Sequence, residues 1–168
     1  MFKYVKLTVL LFLFINGSAN AQLKLGHINS TQLLSFMPET KNADSTLQKF
    51  GSSLENQLKT MSAEYDGKVS DFKSKESSMA EPIRDAKVKE ITDLESRIQD
   101  FQQSAQSSIQ KKKEDLYSPI IKKAEDAIHA VAKDKGYTYV FDSSVGVLLW
   151  AQDSEDIMVM VKQKLGLK

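Results

Sequence analysis

The chain has 168 residues, carries 23 Lys and Arg against 22 Asp and Glu, and contains no cysteine. A nucleic-acid binder would show a strong basic excess, which is absent here. Without cysteine there are no disulfides and no thiol chemistry, so stability must come from packing, oligomerisation or both.

The N-terminus reads as an export leader. Lys3 and Lys6 form a positive n-region, Leu7 to Ile15 an apolar core, and Ala19-Asn20-Ala21 a small-x-small cleavage site. The apolar run is shorter than the roughly 20 residues that span a bilayer. A secretory signal peptide over 1–21, removed after Ala21, is therefore expected rather than a membrane anchor. The mature chain, from Gln22, has 168 − 21 = 147 residues, and loss of Lys3 and Lys6 takes the formal charge from +1 to −1. Its middle, 43–123, is rich in Lys, Glu, Gln, Asp and Ser, and its ends are richer in Val, Ile, Leu and Gly. The expected organisation is a discontinuous body (22–42 and 124–168) and a helical arm (43–123).

Residues Leu23–Asn29 fit a short strand. Ser30 or Thr31 is expected to cap a short helix carrying Leu33, Leu34 and Met37, ended by Pro38. A long helix follows, with apolar residues at Leu47, Phe50, Leu54, Leu58, Met61, Tyr65, Val69 and Phe72. From Leu47 to Val69 the repeat is about 3.67 residues per turn, which needs almost no supercoil. Some 37 residues at 1.5 Å each make about 55 Å of helix, longer than a domain of this size is wide. Glu81-Pro82 starts a second helix after a tight reversal, since the residue before proline avoids helical geometry and proline suits a first turn. The second stripe is Ile91, Leu94, Ile98, Phe101, Ala105, Ile109, Leu116, Ile120, Ala124, Ile128 and Val131. Folding back near Ala80 sets Phe72 near Ile91, Met61 near Phe101 and Leu47 near Leu116, an antiparallel coiled-coil hairpin.

Lys135-Gly136 closes the second helix. Tyr137–Asp142 and Val147–Ala151, joined by the turn Ser143–Gly146, are expected to pair as a β-hairpin. A final helix, capped by Asp153 or Ser154, ends near Gly166. The fold class is thus α+β and mostly helical, a small β-containing body bearing a long hairpin arm. Roughly 60 residues make a marginal core, and short strands with open edges invite pairing with another chain. An obligate oligomer joined through the body is expected, with Leu25, Ile28, Val140, Phe141, Leu148 and Trp150 as its assembly residues. Pro119 interrupts the long helix where it passes from arm to body, and a kink there is expected to re-aim the arm.

The chain resembles the Skp/OmpH family of periplasmic chaperones of Gram-negative bacteria along essentially all of its mature length. The resemblance is carried by element order, by "KLGHINSTQLL" (24–34), "SPIIKKAEDAIHAVAKDKGYTYVFD" (118–142) and "SEDIMVMVKQKLG" (154–166). "AVAKDKGYTYVFD" at 130–142 is the most specific part. The resemblance implies a jellyfish-like homotrimer in the periplasm. Its bodies join through a small β-structure, and its arms enclose unfolded outer-membrane proteins without ATP. On that reading Phe50, Met61, Phe72, Met79, Ile83 and Phe101 are candidate client contacts, with Met79 and Ile83 the most exposed. The competing role for each is the hairpin seam. Lys111, Lys112 and Lys113, with Lys122 and Lys123, are candidates to attract acidic clients or lipid head groups, giving a weak membrane-surface contact; the alternative is a solvated helix face. Well-studied members of that family are more basic than this chain.

Catalysis is not expected. His27 and His129 are isolated, with no metal-ligand spacing, and no nucleophile elbow, phosphate loop or zinc-protease pattern occurs. No cofactor, metal or nucleic-acid partner is implied. The competing function is an envelope tether or adaptor coiled coil that binds one folded partner.

Overall fold

The computed structural model describes residues 23–168; the expected signal peptide lies outside the described residues. The elements run β1 (Leu25–Ile28), α1 (Ser30–Phe36), α2 (Pro38–Lys75), α3 (Glu81–Lys135), β2 (Tyr139–Asp142) and α4 (Met158–Lys164). Helices α2 and α3 are antiparallel and form the arm. β1, α1, β2, α4 and the base of the arm form the body.

The arm follows from the apolar periodicity. α2 has 38 residues and α3 has 55, about 57 and 83 Å of helix at 1.5 Å per residue. Pro38 occupies the first turn of α2 and Pro82 the first turn of α3, where a missing N–H costs nothing. Between them Glu76–Ser78 makes one 3-10 turn, and Met79 and Ala80 are extended, which completes the reversal. Cross-helix contacts set the register: Lys123 pairs with Glu39 and Tyr117 donates to Asp44 at the base, and Lys68 pairs with Glu90 farther out. α3 ends where Gly136 adopts φ 69° and the Tyr137 N–H returns to the Ala132 carbonyl at 2.9 Å. Only glycine takes that left-handed position without strain.

The body core gathers Ile28, Leu33, Met37 and Ala43 from the N-terminal side with Ile120, Ala124, Ala127, Val131, Ile157, Met158 and Val161. β1 and β2 pair in parallel, Leu25 opposite Tyr139 and Ile28 opposite Asp142. On its other side β1 meets the segment before α4, through a His27–Asp156 bridge and an Ile157 N–H to His27 carbonyl bond of 3.0 Å. Gly26 lies in this crowded layer. A Cβ there would approach the Tyr137 ring to 2.8 Å and Ile157 to 3.2 Å, so backbone and core come too close for any side chain.

Three local expectations are corrected. First, Val147–Ala151 forms no strand and no hairpin with β2. One edge of β2 is taken by β1, and the turn at Ser143–Val145 with Gly146 leads the chain away. An all-apolar run also has no polar face to turn to water, as the outer strand of an isolated hairpin must. Second, α1 is capped by Asn29, whose Oδ1 accepts from the Gln32 N–H at 2.9 Å; Ser30 is diverted to Asp142. Third, α4 begins at Met158, with Asp156 Oδ1 accepting the Met158 N–H at 2.8 Å. Asp153–Glu155 makes a separate 3-10 turn. Pairing of Ile157 with β1 holds that backbone out of a helix, so the cap falls later than the local sequence suggests.

Asp142 ties the two ends of the body together. It accepts from the Ser30 N–H at 3.2 Å, the Ser30 hydroxyl at 2.5 Å and the Ser144 N–H at 2.9 Å. Burial pushes its carboxyl up, but the bonds from Ser30 and Ser144 together outweigh it and hold the group below its usual 3.8. A depressed native value stabilises the fold above the unfolded value, and that contribution is lost as pH falls through the native one. Asp142→Asn is therefore expected to cost about 1–3 kcal/mol at pH 7. In urea unfolding followed by circular dichroism, the gap between wild type and variant should shrink at pH 3. A gap of equal size at both values would rule out this ionic contribution.

Candidate functional site

Two surfaces stand out: the length of the arm, and one face of the body. Along the arm the seam is shallow. Phe50, Met61, Phe72 and Phe101 are all half-buried between α2 and α3, which places part of each ring or thioether in the seam and leaves part open to solvent. Leu94 is the one fully buried apolar side chain on the arm beyond the body core. At the tip Met79 is half-buried and Ile83 is 55% exposed, with Val88 also exposed nearby.

The lysines are partly spoken for. Lys111 pairs with Asp115 at 3.2 Å, Lys122 with Asp126 at 3.2 Å, and Lys123 with Glu39 across the arm base. Lys113 is exposed and Lys112 half-buried. Farther out, hydrogen bonds from Lys68 and then Lys87 hold the Glu90 carboxyl down at about 2, so Glu90 keeps its charge through the neutral and mildly acidic range. Exposed helix pairs of this kind are individually weak. Pro119 is exposed within a helix that runs unbroken from Glu81 to Lys135.

The body presents an apolar face. In-register pairing puts Leu25, Tyr139 and Phe141 on one side of the two-stranded sheet, and all three are exposed. The Tyr139 and Phe141 rings stack at 6.4 Å. The segment that follows in the chain adds exposed Val145 and Val147, Leu149 at 95% and Trp150 at 77% exposure. Exposed large apolar side chains so concentrated mark an interaction surface. Ile28, expected among the assembly residues, is instead buried in the core, with its side chain under the sheet. Val140 and Leu148 are half-buried. Leu23, Tyr139, Val147 and Leu149 were not singled out from sequence. The signal for Tyr139 was its two-residue spacing from Phe141, and for Leu149 the unbroken run Val147–Trp150.

Among the described residues no group of His, Asp and Glu is placed to hold a metal ion, and no helix is long and apolar enough to cross a membrane.

Comparison with known proteins gives one family and one fold. The model of the family described as outer membrane protein (OmpH-like) matches residues 24–165. Among curated proteins none matches the sequence. A crystal structure of a protein from Caulobacter crescentus CB15, described as a proposed OmpH-like outer membrane chaperone, superimposes with a TM-score of 0.75. It is 14% identical, over 86% of this chain and 85% of that one. At that identity the likeness is one of fold.

Proposed function

Because this chain belongs to the OmpH-like outer membrane protein family, we propose that it is an exported holding chaperone of the periplasm that works without nucleotide. Three copies join through the apolar body face, and their arms enclose unfolded outer-membrane proteins. The observation that carries this reading is the combination of a long, thinly packed arm with a body whose apolar face is uncovered in the single chain. An unfolded β-barrel chain exposes alternating apolar side chains and unpaired backbone. Half-open Phe50, Met61, Phe72 and Phe101 along the arm, with Met79 and Ile83 at the tip, offer many weak contacts to it. Methionine and aromatic groups adapt to varied partners, and many weak contacts on linked arms give avidity while the client stays mobile. Separation of one client from another suppresses aggregation. Lys111, Lys112 and Lys113 take a minor part, since the neighbouring acids already offset much of their field.

The test is light scattering after a urea-unfolded outer-membrane β-barrel protein is diluted from denaturant into the mature protein, with no nucleotide present. Suppression that saturates near one trimer per client is expected, and for several unrelated barrels. A well-folded assembly that suppresses nothing would instead favour the tether or adaptor role.

A further inference from the structure

Glutamine is concentrated on one face of the arm. Of the 11 glutamines in the chain, five lie close together on α3, at Gln99, Gln102, Gln103, Gln106 and Gln110. All five are exposed, whereas the interleaved Ile98, Phe101, Ala105 and Ser108 are half-buried. With 3.6 residues per turn the five fall within a sector of about 100°, turned out of the seam. Charge is missing from the same level. Asp, Glu, Lys and Arg make up 27% of the chain, yet 101–110 contains none of them. The exposed surface of α3 on either side carries ion pairs instead, Lys89 with Asp93 before it and Lys111 with Asp115 after it.

Nothing within the chain accounts for this exchange of charge for amide. Glutamine, glutamate and lysine have similar helix propensities, so the helix itself gains nothing. Among the described residues the five side-chain amides make no hydrogen bond; the nearby Ser107 hydroxyl bonds the Gln103 backbone carbonyl at 3.1 Å. Gln103, Gln106, Ser107 and Gln110 instead border a shallow surface depression beside Ile109. Each primary amide offers one carbonyl acceptor and an NH2 donor. On one edge of an extended chain a residue presents its own N–H and C=O side by side, the pair that an antiparallel neighbour would exchange. That pair recurs every second residue, about 6.6–6.8 Å apart. Gln102, Gln106 and Gln110 follow one another by four residues, about 6.0 Å of helix rise per step, and Gln99 to Gln103 repeats that step. The long glutamine side chain takes up a mismatch of about 0.7 Å per step.

We infer that Gln102, Gln106 and Gln110, flanked by Gln99 and Gln103, form an amide ladder that holds the main chain of an extended, unpaired polypeptide segment. The identity of that segment, a strand-forming stretch of an unfolded barrel, rests on the chaperone reading. The face has no charge to select a charged partner, and each rung matches both a donor and an acceptor, so recognition is of backbone and is indifferent to client sequence. It also gives release a cause that needs no nucleotide. Once barrel strands pair with each other their N–H and C=O groups are taken, and the ladder has nothing left to hold.

The test labels the glutamine side chains of the full mature protein with 15N and follows them by NMR, which reads weak binding directly. The probe is a soluble peptide of about ten residues alternating valine and threonine, the two-residue period of a strand. Signals of Gln102, Gln106 and Gln110 are expected to move together and saturate, while those of exposed Gln32 and Gln163 in the body stay in place. The same peptide N-methylated at every residue keeps its side chains and loses every donor, and should shift them at least about fivefold less. Gln102→Met, Gln106→Met and Gln110→Met together keep side-chain length and helix propensity. That triple variant should hold an unfolded barrel at least about 10-fold more weakly, with an unchanged helical spectrum. Equal shifts with the methylated peptide, or a triple variant that binds as well as the parent or better, would overturn the inference. A neutral oligosaccharide that moved the same signals more strongly would reassign the face to glycans and overturn it too. The two readings fail separately. A triple variant that suppresses aggregation as well as the parent removes the ladder and leaves the chaperone. A parent that answers to the peptide but suppresses no aggregation removes the chaperone and leaves a backbone-binding face.

Discussion

Replacing Leu149 and Trp150 together by glutamate is expected to abolish self-association while leaving the single chain folded. Both side chains are among the most exposed apolar groups of the body, so their loss removes almost nothing from the fold. Surface changes of this kind usually stay within about 0.5 kcal/mol. In an assembly joined through this face the same residues become buried, and tryptophan is typical of the few positions that dominate an interface. Removing it costs about 2 kcal/mol or more, and two carboxylates placed in an apolar contact add a desolvation penalty. Association should weaken by at least about 100-fold. Sedimentation should find a monomer with an unchanged helical spectrum. An assembly of undiminished size would show that the partner surface lies elsewhere. Trp150 fluorescence in the parent protein should also shift on dilution through the assembly range.

Leu33→Ala should have the largest effect on the fold itself. Leu33 has no solvent exposure and lies where α1 meets the rest of the core. Truncation of a buried leucine costs about 2–5 kcal/mol, the transfer term plus the cavity left behind. A core drawn from so few residues has little reserve, so the body should unfold or become loosely packed at ordinary temperature. Urea unfolding should show a much lower midpoint. The same change at half-buried Leu54, out on the arm, should cost clearly less. Equal losses at the two sites would mean that the arm seam is as well packed as the body, against the burial pattern.

These two sites also separate what was legible in the residues from what was not. Leu33 belongs to a helix marked by local signals: an apolar pair in register, a proline just after it, small polar residues just before. Leu149 and Trp150 carried a strand signal, apolar and β-prone, and the inference from it to a β-hairpin failed. β-propensity describes a residue that suits a half-buried pleated surface, and such a surface exists only where a neighbouring edge is free. β1 takes one edge of β2, and the turn at Ser143–Val145 with Gly146 leads the following segment away from the other. Trp150 is an apolar group with no place in the chain's own core, which is what an interface needs. Ile28 went the other way: a strand residue assigned to assembly that turns inward, since alternation along β1 sends Ile28 and Gly26 to the core and Leu25 outward.

The sequence by itself determined the parts whose cause is local or periodic. The apolar stripes made two long helices, Glu81-Pro82 made the reversal, and Gly136 made the stop. The complementary stripes were enough to place α2 against α3. Only the tertiary structure decided the body. β1 pairs in parallel with β2 across 139 − 25 = 114 residues, and Asp142 draws in Ser30 from 112 residues away beside its near neighbour Ser144. Pairing with β1 moves the start of α4 to Met158, and Val147–Ala151 is left without a partner strand. The reason is physical. A helix satisfies its own hydrogen bonds within a few residues, so its signals are near neighbours in sequence. A strand depends on whichever edge the rest of the fold brings beside it, and no local pattern names that edge.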